Sequence, residues 1–173
     1  MFATIYLPNF YLQAATRHQP ELRTKPVALI EQHERRLVVV QLNEAAEKVG
    51  ICKEMTPSQA LARYLQIVIK TRVQSQEKSV HEILLHHAFT LSPFVENTAP
   101  GVCTIQFTDN RGLHGKISRV IEQLAEYDLT ARAGSAPAPD TSLLVAHLAL
   151  PILEVQSARE FLAPLPIETL ALT

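Results

Sequence analysis

The chain has 173 residues, 47% of them apolar, and a net charge of −1 at neutral pH. Such a length and apolar content suit one compact domain, or two small ones that share a core. The near-zero charge argues against strong nucleic-acid binding by this segment alone, because phosphate contacts require a basic surface. The apolar runs are far shorter than the ~20 residues of a membrane span, and no basic leader precedes them, so we expect a cytoplasmic protein without membrane contact.

The first part of the chain alternates short apolar runs with capped helical segments. The patterns predict a strand at 2–7, a helix at 9–17 capped by Asn9, a hairpin of strands at 26–30 and 36–40, a helix at 43–49 closed by Gly50, and a helix that opens at Thr56. An apolar stretch at 67–69 ends this region. Together these elements describe a small α/β unit.

The second part has longer elements. It predicts an amphipathic helix from Ser79 that Pro93 ends, strands at 94–98 and 102–107, a turn at 109–112, a helix at 115–127, a strand at 129–133, a loop at 133–139 and a helix at 140–150. Joined to the first strand, these elements follow the β-α-β-β-α-β order of a ferredoxin-like fold. The fold class is therefore α+β.

The opening of the chain resembles a known family of enzymes. The segment is Tyr6-Leu7-Pro8-Asn9-Phe10-Tyr11-Leu12-Gln13-Ala14-Ala15, followed by Pro20, Leu22 and Lys25-Pro26-Val27. It is similar to the Y-family (DinB/UmuC-like) translesion DNA polymerases, whose opening reads D-x-D-x-F-[FY]-A-x-V-E before P-x-L-x-x-K-P-V. The resemblance implies a ferredoxin-like palm at 1–9 and 76–160, an inserted fingers subdomain at 10–75, and a connection at 161–173 toward a thumb beyond this segment.

The metal-binding acids of that family are absent from the matching positions. The family clamps two Mg²⁺ ions with carboxylates from the first strand and from a central hairpin. Here Tyr6, Gly101 and Val102 stand at those positions, and no aspartate precedes Asp109. The prediction is that no catalytic or metal-ligating residue and no cofactor is present. Glu96 and Asp109 are the ligands of a weaker alternative that would use Mg²⁺.

The matching fingers segment also departs from the family. Where the family carries the tyrosine and arginine of N-Y-E-A-R, which hold the incoming triphosphate, this chain has Glu44 and Glu47. Their negative charge would repel a triphosphate, so no nucleotide-binding residue is predicted. The aromatic residues Phe10 and Tyr11 are retained, and Tyr11 is expected to serve core packing.

Two further segments narrow the resemblance to the ImuB-like accessory mutagenesis proteins: residues 129–134, Leu-Thr-Ala-Arg-Ala-Gly, and residues 161–167. The implied function is a non-catalytic adaptor, a pseudo-polymerase rather than an enzyme, in bacterial DNA repair and SOS translesion synthesis. The implied partners are damaged or primer–template DNA at the nucleoid, a sliding clamp, a RecA-like protein and an error-prone C-family polymerase. The alternatives are a residual metal-dependent nucleotidyltransferase and a ferredoxin-like protein-interaction domain.

Other candidate sites receive structural interpretations. The pair His86-His87 is expected to place one ring inside and one outside rather than to bind a metal. The basic spots at 35–36 and 70–72 are flanked by glutamates and are expected to be solvated, and Arg132 is expected at the surface or at a sheet edge. Ser142 and His147 lack the surroundings of a hydrolase. The cysteines, Cys52 and Cys103, are expected to be reduced core thiols.

Overall fold

A computed structural model describes residues 1–172 of the chain. The strands are β1 (Phe2–Tyr6), β2 (Val27–His33), β3 (Arg36–Leu42), β4 (Val68–Thr71), β5 (Val95–Ala99), β6 (Val102–Gln106), β7 (Arg132–Ala136) and β8 (Ile152–Glu154). The helices are α1 (Phe10–Thr16), α2 (Glu44–Lys48), α3 (Pro57–Arg63), α4 (Gln74–Leu91), α5 (Leu113–Glu126), α6 (Pro139–Leu148) and α7 (Ala158–Leu162), with 3-10 turns at Pro20–Leu22 and Ile167–Leu172. Within the described residues, no helix is both long and apolar enough to span a bilayer.

The chain divides into two compact units. The first contains Met1–Pro8 and the chain from His81 onward, and the second is Asn9–Val80. Thr173, the last residue of the predicted connection to a thumb, lies outside the described residues.

The first unit is built on a sheet with the strand order β5-β6-β1-β7-β8. β1 lies in the middle and pairs antiparallel with β6 and β7, while β8 runs parallel to β7. The register sets Ala3 opposite Ile105 and Ile5 opposite Cys103, and all four side chains are fully buried. Alternation at period two therefore gives β1 and β6 one continuous apolar face.

The opposite face of β1 carries hydroxyl groups. The Oγ1 atoms of Thr4 and Thr104 lie 3.2 Å apart, and Thr4 Oγ1 lies 2.7 Å from Ser142 Oγ on α6, which packs against β1 and β7. Ser142 donates in turn to the carbonyl oxygen of Pro139 at 2.7 Å. Because each buried hydroxyl finds a partner, the helix is held to the sheet without an unpaired polar group.

The second unit is a smaller sheet, β3-β2-β4, with β2 antiparallel to β3 and parallel to β4. Helices cover both of its faces. One core cluster contains Ala28, Ile30, Val39, Leu42, Ala46, Ile51, Ala60 and Ile67, and the other contains Leu12, Ala15, Leu22, Val27 and Leu29. Since residues of β2 enter the two clusters alternately, this strand is buried on both faces.

Of the two helix caps predicted in the second unit, Thr56 is confirmed and Asn9 is not, while Asn43 forms a cap that was not predicted. The Asn43 side chain accepts from Ala46 N at the start of α2, and Thr56 forms a capping box with Gln59 at the start of α3. Asn9 does precede α1, but it has φ 50° and its side chain makes no cap hydrogen bond. Its Nδ2 instead donates to the carbonyl oxygen of Leu42 at 3.1 Å, so a tertiary contact has replaced the local one.

Two elements differ from prediction in their bounds. α4 begins at Gln74 rather than at Ser79, and β7 spans Arg132–Ala136 where a strand at 129–133 and a loop at 133–139 were predicted. The strand contains small residues of low β-propensity. Close packing requires them, because a Cβ built on Gly134 would lie 2.2 Å from Ala146 N of α6. Packing against the helix has therefore overridden local propensity.

Candidate functional site

Strand register brings the three predicted positions together at the end of β1. Tyr6 is the register partner of Val102 on one side and of Arg132 on the other. The backbone N–H of Leu7 donates to the carbonyl oxygen of Gly101 at 2.9 Å. Tyr6, Gly101, Val102, Arg132 and His147 are called the strand-end cluster below.

The two rings of this cluster are in contact. His147 lies in the last turn of α6, and its ring centroid is 4.2 Å from that of Tyr6 with 33° between the planes. Burial raises the pKa of Tyr6, and the Arg132 charge partly offsets that shift. Burial lowers the pKa of His147, and Arg132 acts in the same direction. Both rings are therefore neutral at pH 7.

Gly101 forms the tight turn between β5 and β6. Its φ of 76° lies in the left-handed region, where a side chain is strained. Its backbone N–H donates to Nδ1 of His81 at 3.3 Å. The turn is thus held from both sides, by His81 and by the bond from Leu7, and an acid at position 101 would have to adopt an unfavourable backbone conformation.

Arg132 is the first residue of an interior strand, not of the sheet edge expected from the sequence. β7 lies between β1 and β8, and the Arg132 side chain is half-buried. Its Nη1 donates to the carbonyl oxygen of His147 at 3.3 Å. Sequence reasoning did not connect these two residues with Tyr6, because no local pattern reports which strand or helix will lie beside β1.

The cluster does not fit a pair of Mg²⁺ ions. Mg²⁺ requires several oxygen ligands, mainly carboxylates, in octahedral geometry. The cluster instead offers a phenol, an imidazole, a guanidinium, a glycine and an apolar side chain. In the part of the chain that the structure describes, no group of three His, Cys, Asp or Glu side chains could hold a metal ion. No step of nucleotidyl transfer can therefore be derived through these residues.

The alternative ligands Glu96 and Asp109 lie on different elements. Glu96 is an exposed residue of the edge strand β5, opposite Thr104. Asp109 follows β6 in a turn, where Arg111 pairs with it at 2.9 Å and lowers the pKa of its carboxyl group. The carboxylate of Asp109 is thus already satisfied by a cation.

The two glutamates predicted to repel a triphosphate, Glu44 and Glu47, are exposed to solvent. Glu44 and Glu47 are exposed residues of α2, and Lys48 pairs with Glu44 at 2.6 Å, which lowers the pKa of Glu44. Phe10 is 5% exposed and meets the half-buried Tyr11 edge to face, with 5.2 Å between ring centroids.

One basic spot expected to be solvated is engaged instead. Arg72 binds both carboxylate oxygens of Glu77, at 2.8 and 2.7 Å, and one of Glu31 at 2.8 Å. Its guanidinium carbon lies 3.8 Å from the centroid of the Tyr11 ring. The flanking glutamates in the sequence were the available signal for this network, but the contact with Tyr11 depends on the tertiary fold.

As predicted, the pair His86-His87 places one ring inside the protein and one outside. His86 is exposed, and His87 is buried with its ring centroid 5.6 Å from that of Tyr127. Cys103 is buried as expected, whereas Cys52 is exposed rather than a core residue.

Solved structures share this fold. The chain matches the structure titled "Insertion ternary complex of Dbh DNA polymerase" with a TM-score of 0.86 and 14% identity, covering 97% of this chain and 53% of that one. It also matches the structure of DinB from Sulfolobus solfataricus with a TM-score of 0.74 and 14% identity, covering 97% and 52%. The predicted fold class, a ferredoxin-like palm with an inserted fingers subdomain, is confirmed.

The curated relatives that the chain matches share the name DNA polymerase IV. DNA polymerase IV of Ralstonia nicotianae is 26% identical over 93% of this chain and 48% of its own length. DNA polymerase IV of Protochlamydia amoebophila is 30% identical over 77% of this chain and 39% of its own length. The chain thus spans about half the length, or less, of the curated relatives that it matches.

These relatives correct one prediction. The prediction that the chain is not an enzyme is wrong, because the proteins that it matches over most of its length are named as DNA polymerases. The predicted resemblance to Y-family polymerases is confirmed by the same comparisons. A sequence profile of that lineage, described as the impB/mucB/samB family, matches residues 5–147, and the chain therefore belongs to the impB/mucB/samB family.

Proposed function

We propose that this chain forms the palm and fingers of a Y-family DNA polymerase that acts on primer–template DNA in translesion synthesis. Family membership and the TM-score of 0.86 to a polymerase structure support this function. The observation that carries the proposal is the convergence of the end of β1 with the β5–β6 turn, where Leu7 N–H meets the Gly101 carbonyl oxygen at 2.9 Å. In the resembled family the catalytic centre is built from these two elements.

The chain's own residues supply a scaffold for DNA rather than ligands for metal. We infer that Tyr6, Gly101 and Val102 are not metal ligands and that no cofactor is bound by them, because none offers a carboxylate. Glu44 and Glu47 are likewise inferred not to bind a triphosphate, since both are exposed acids in one turn of helix. The proposal therefore gives these five residues no role as ligands of a metal ion or of a triphosphate.

The finer part of the proposal is an adaptor role in an ImuB-like SOS mutagenesis complex at the bacterial nucleoid. The segments at 129–134 and 161–167 support it by resemblance. The proposed partners are a sliding clamp, a RecA-like protein and an error-prone C-family polymerase. The net charge of −1 supports a division of labour in which much of the DNA affinity comes from sequence outside this segment.

The relatives named as DNA polymerases support nucleotidyl transfer as an activity, but the metal ligands of that alternative are not supported. A nucleotidyltransferase that used Mg²⁺ on Glu96 and Asp109 would need carboxylates that converge, and Asp109 is paired with Arg111. A ferredoxin-like interaction domain without relation to polymerases is disfavoured by the family match over residues 5–147.

The test uses the full-length protein that contains this sequence. Its affinity for primer–template DNA is measured by fluorescence anisotropy, with blunt duplex DNA of equal length as the control. Primer extension past an abasic site is then followed with and without a C-family polymerase and sliding clamp. Preference for the primer terminus together with increased bypass is expected. Equal affinity for both DNAs and unchanged bypass would contradict the proposal.

A further inference from the structure

The strand-end cluster carries positive charge where a two-metal site carries negative charge. Register places Tyr6 between Val102 and Arg132, and directly opposed residues of paired strands project from the same face of a sheet. With both rings neutral at pH 7, Arg132 is the one charged side chain of the cluster. A phosphate group would therefore be attracted to this position directly.

Arg132 retains the capacity to bind an anion. A guanidinium has five N–H donors in a planar fork that matches two oxygens of a phosphate. The structure gives Arg132 one hydrogen bond, from Nη1 to the His147 carbonyl oxygen, and among the described residues no carboxylate forms an ion pair with it. It is half-buried, so solvent competes less with a bound phosphate than at an exposed arginine.

Two acids that register and helix position place on this side of the sheet, Glu96 and Asp140, are distant. Glu96 shares the face of Thr104 on β5, three strands from β7 and two register positions from Tyr6, which places its Cα about 16 Å from that of Arg132. Asp140 lies on α6 seven residues before His147, about 10 Å along the helix. Neither is close enough to cancel the Arg132 charge by direct pairing.

The rings complete the recognition chemistry. Tyr6 and His147 form a tilted pair with centroids 4.2 Å apart, and both side chains are half-buried and so reachable from solvent. Aromatic faces beside a cation are the elements with which proteins hold unpaired nucleotides.

Resting on the proposed function, we propose that the strand-end cluster binds a nucleotide phosphate directly through the Arg132 guanidinium, without a divalent cation, while the rings of Tyr6 and His147 stack against the base. The phosphate can belong to a free nucleotide or to the terminal nucleotide of a DNA strand. The two sources share one chemistry and are separated by the probes below.

The experiment uses the 173-residue chain and two probes, free dATP and a fluorescein-labelled primer–template DNA, each titrated in EDTA and in Mg²⁺. Arg132→Gln removes the guanidinium and is expected to weaken binding of one probe in EDTA about tenfold. For DNA, the slope of log affinity against log salt should fall by about one. The matched control is Arg119→Gln, which removes an exposed arginine from α5 and should change the affinity less than about twofold.

Two further variants separate binding from folding. Arg132→Lys keeps the charge but loses the fork, and it should retain part of the affinity. Tyr6→Leu keeps the apolar body and should weaken binding about tenfold through loss of stacking. Thermal unfolding of each variant shows whether it is folded.

The probe that loses affinity identifies the source of the phosphate. Three results would overturn the proposal. Binding could require Mg²⁺, the affinity could fall equally in Arg132→Gln and Arg119→Gln, or neither probe could bind in EDTA. If the full-length protein still prefers primer–template DNA in that last case, the proposed function stands and only the assignment to this cluster fails.

Discussion

The guanidinium carbon of Arg72 lies 3.8 Å from the centroid of the Tyr11 ring, while the same guanidinium binds both carboxylate oxygens of Glu77. Tyr11 follows the β1 strand end in sequence, and Arg72 follows β4, so the contact ties the start of the second unit to its last strand. Glu77 is 9% exposed, and its charge is compensated largely by this one arginine. We therefore expect the Arg72–Glu77 ion pair to contribute measurably to the free energy of unfolding.

Arg72→Met should destabilise the protein by about 2 kcal/mol, because it leaves the Glu77 carboxylate buried without its cation. Solvent screens part of the interaction, since the Arg72 side chain is 30% exposed. Urea unfolding followed by circular dichroism measures the change. The control is Lys48→Met, which breaks the exposed Glu44 pair and should leave the midpoint unchanged. Equal midpoints for both variants would contradict the structural role of Arg72.

Gly134→Ala should be strongly destabilising, by about 3 kcal/mol or more, or should prevent folding. The added Cβ would lie 2.2 Å from Ala146 N, 2.5 Å from the Val145 carbonyl carbon and 2.6 Å from the Ser142 carbonyl oxygen. These are backbone atoms of α6, which cannot move aside as a flexible side chain can.

The matched control for that substitution is Gly115→Ala. Gly115 lies within α5, and its added Cβ would meet no atom within 4 Å. Alanine should therefore stabilise the helix by about 0.5–1 kcal/mol. Thermal unfolding should move in opposite directions for the two variants. A similar small shift in both would mean that α6 does not pack closely on β7.

The buried hydroxyl chain should behave as a coupled unit. Thr4→Val removes the group that lies between Thr104 and Ser142 and should cost about 1–2 kcal/mol, because both neighbours remain buried. A double-mutant cycle with Ser142→Ala is expected to give a coupling energy of at least about 0.5 kcal/mol. Additive effects of the two substitutions would show that the hydroxyls are not energetically linked.

The cysteines should differ in reactivity. Burial raises the pKa of the Cys103 thiol from its ordinary value of 9.0 to about 12, whereas Cys52 is exposed. Because the thiolate is the reactive species, a maleimide at pH 8 should label Cys52 within minutes and Cys103 only after unfolding. Mass spectrometry of the native and urea-unfolded protein distinguishes the two sites. Rapid native labelling of Cys103 would contradict its burial.

The same thiol makes stability depend on pH in a defined direction. Between pH 9 and about 12 the unfolded thiol has lost its proton while the folded one keeps it. Unfolding then releases a proton, so this group lowers the free energy of unfolding as the pH rises through that window and has no effect below it. Cys103→Ala should remove this part of the alkaline dependence.

The sequence determined those features that depend on near neighbours in the chain. Two β-branched runs around a polar stretch predicted the β2–β3 hairpin, alternation predicted the strand at 102–107, and the side-chain oxygen of Thr56 predicted the start of α3. The absence of carboxylates at Tyr6, Gly101 and Val102 was also readable from the sequence. These are local or positional properties, and each is set within a few residues.

The tertiary structure alone decided what lies beside those positions. Small residues became the interior strand β7 because α6 packs on Gly134, and Asn9 turned from its predicted cap to the Leu42 carbonyl oxygen. Arg132 and His147 reached Tyr6 across more than a hundred residues, through strand pairing and helix packing. Such contacts depend on the register of distant segments, which is set by burial of the whole sheet rather than by the pattern of any one segment.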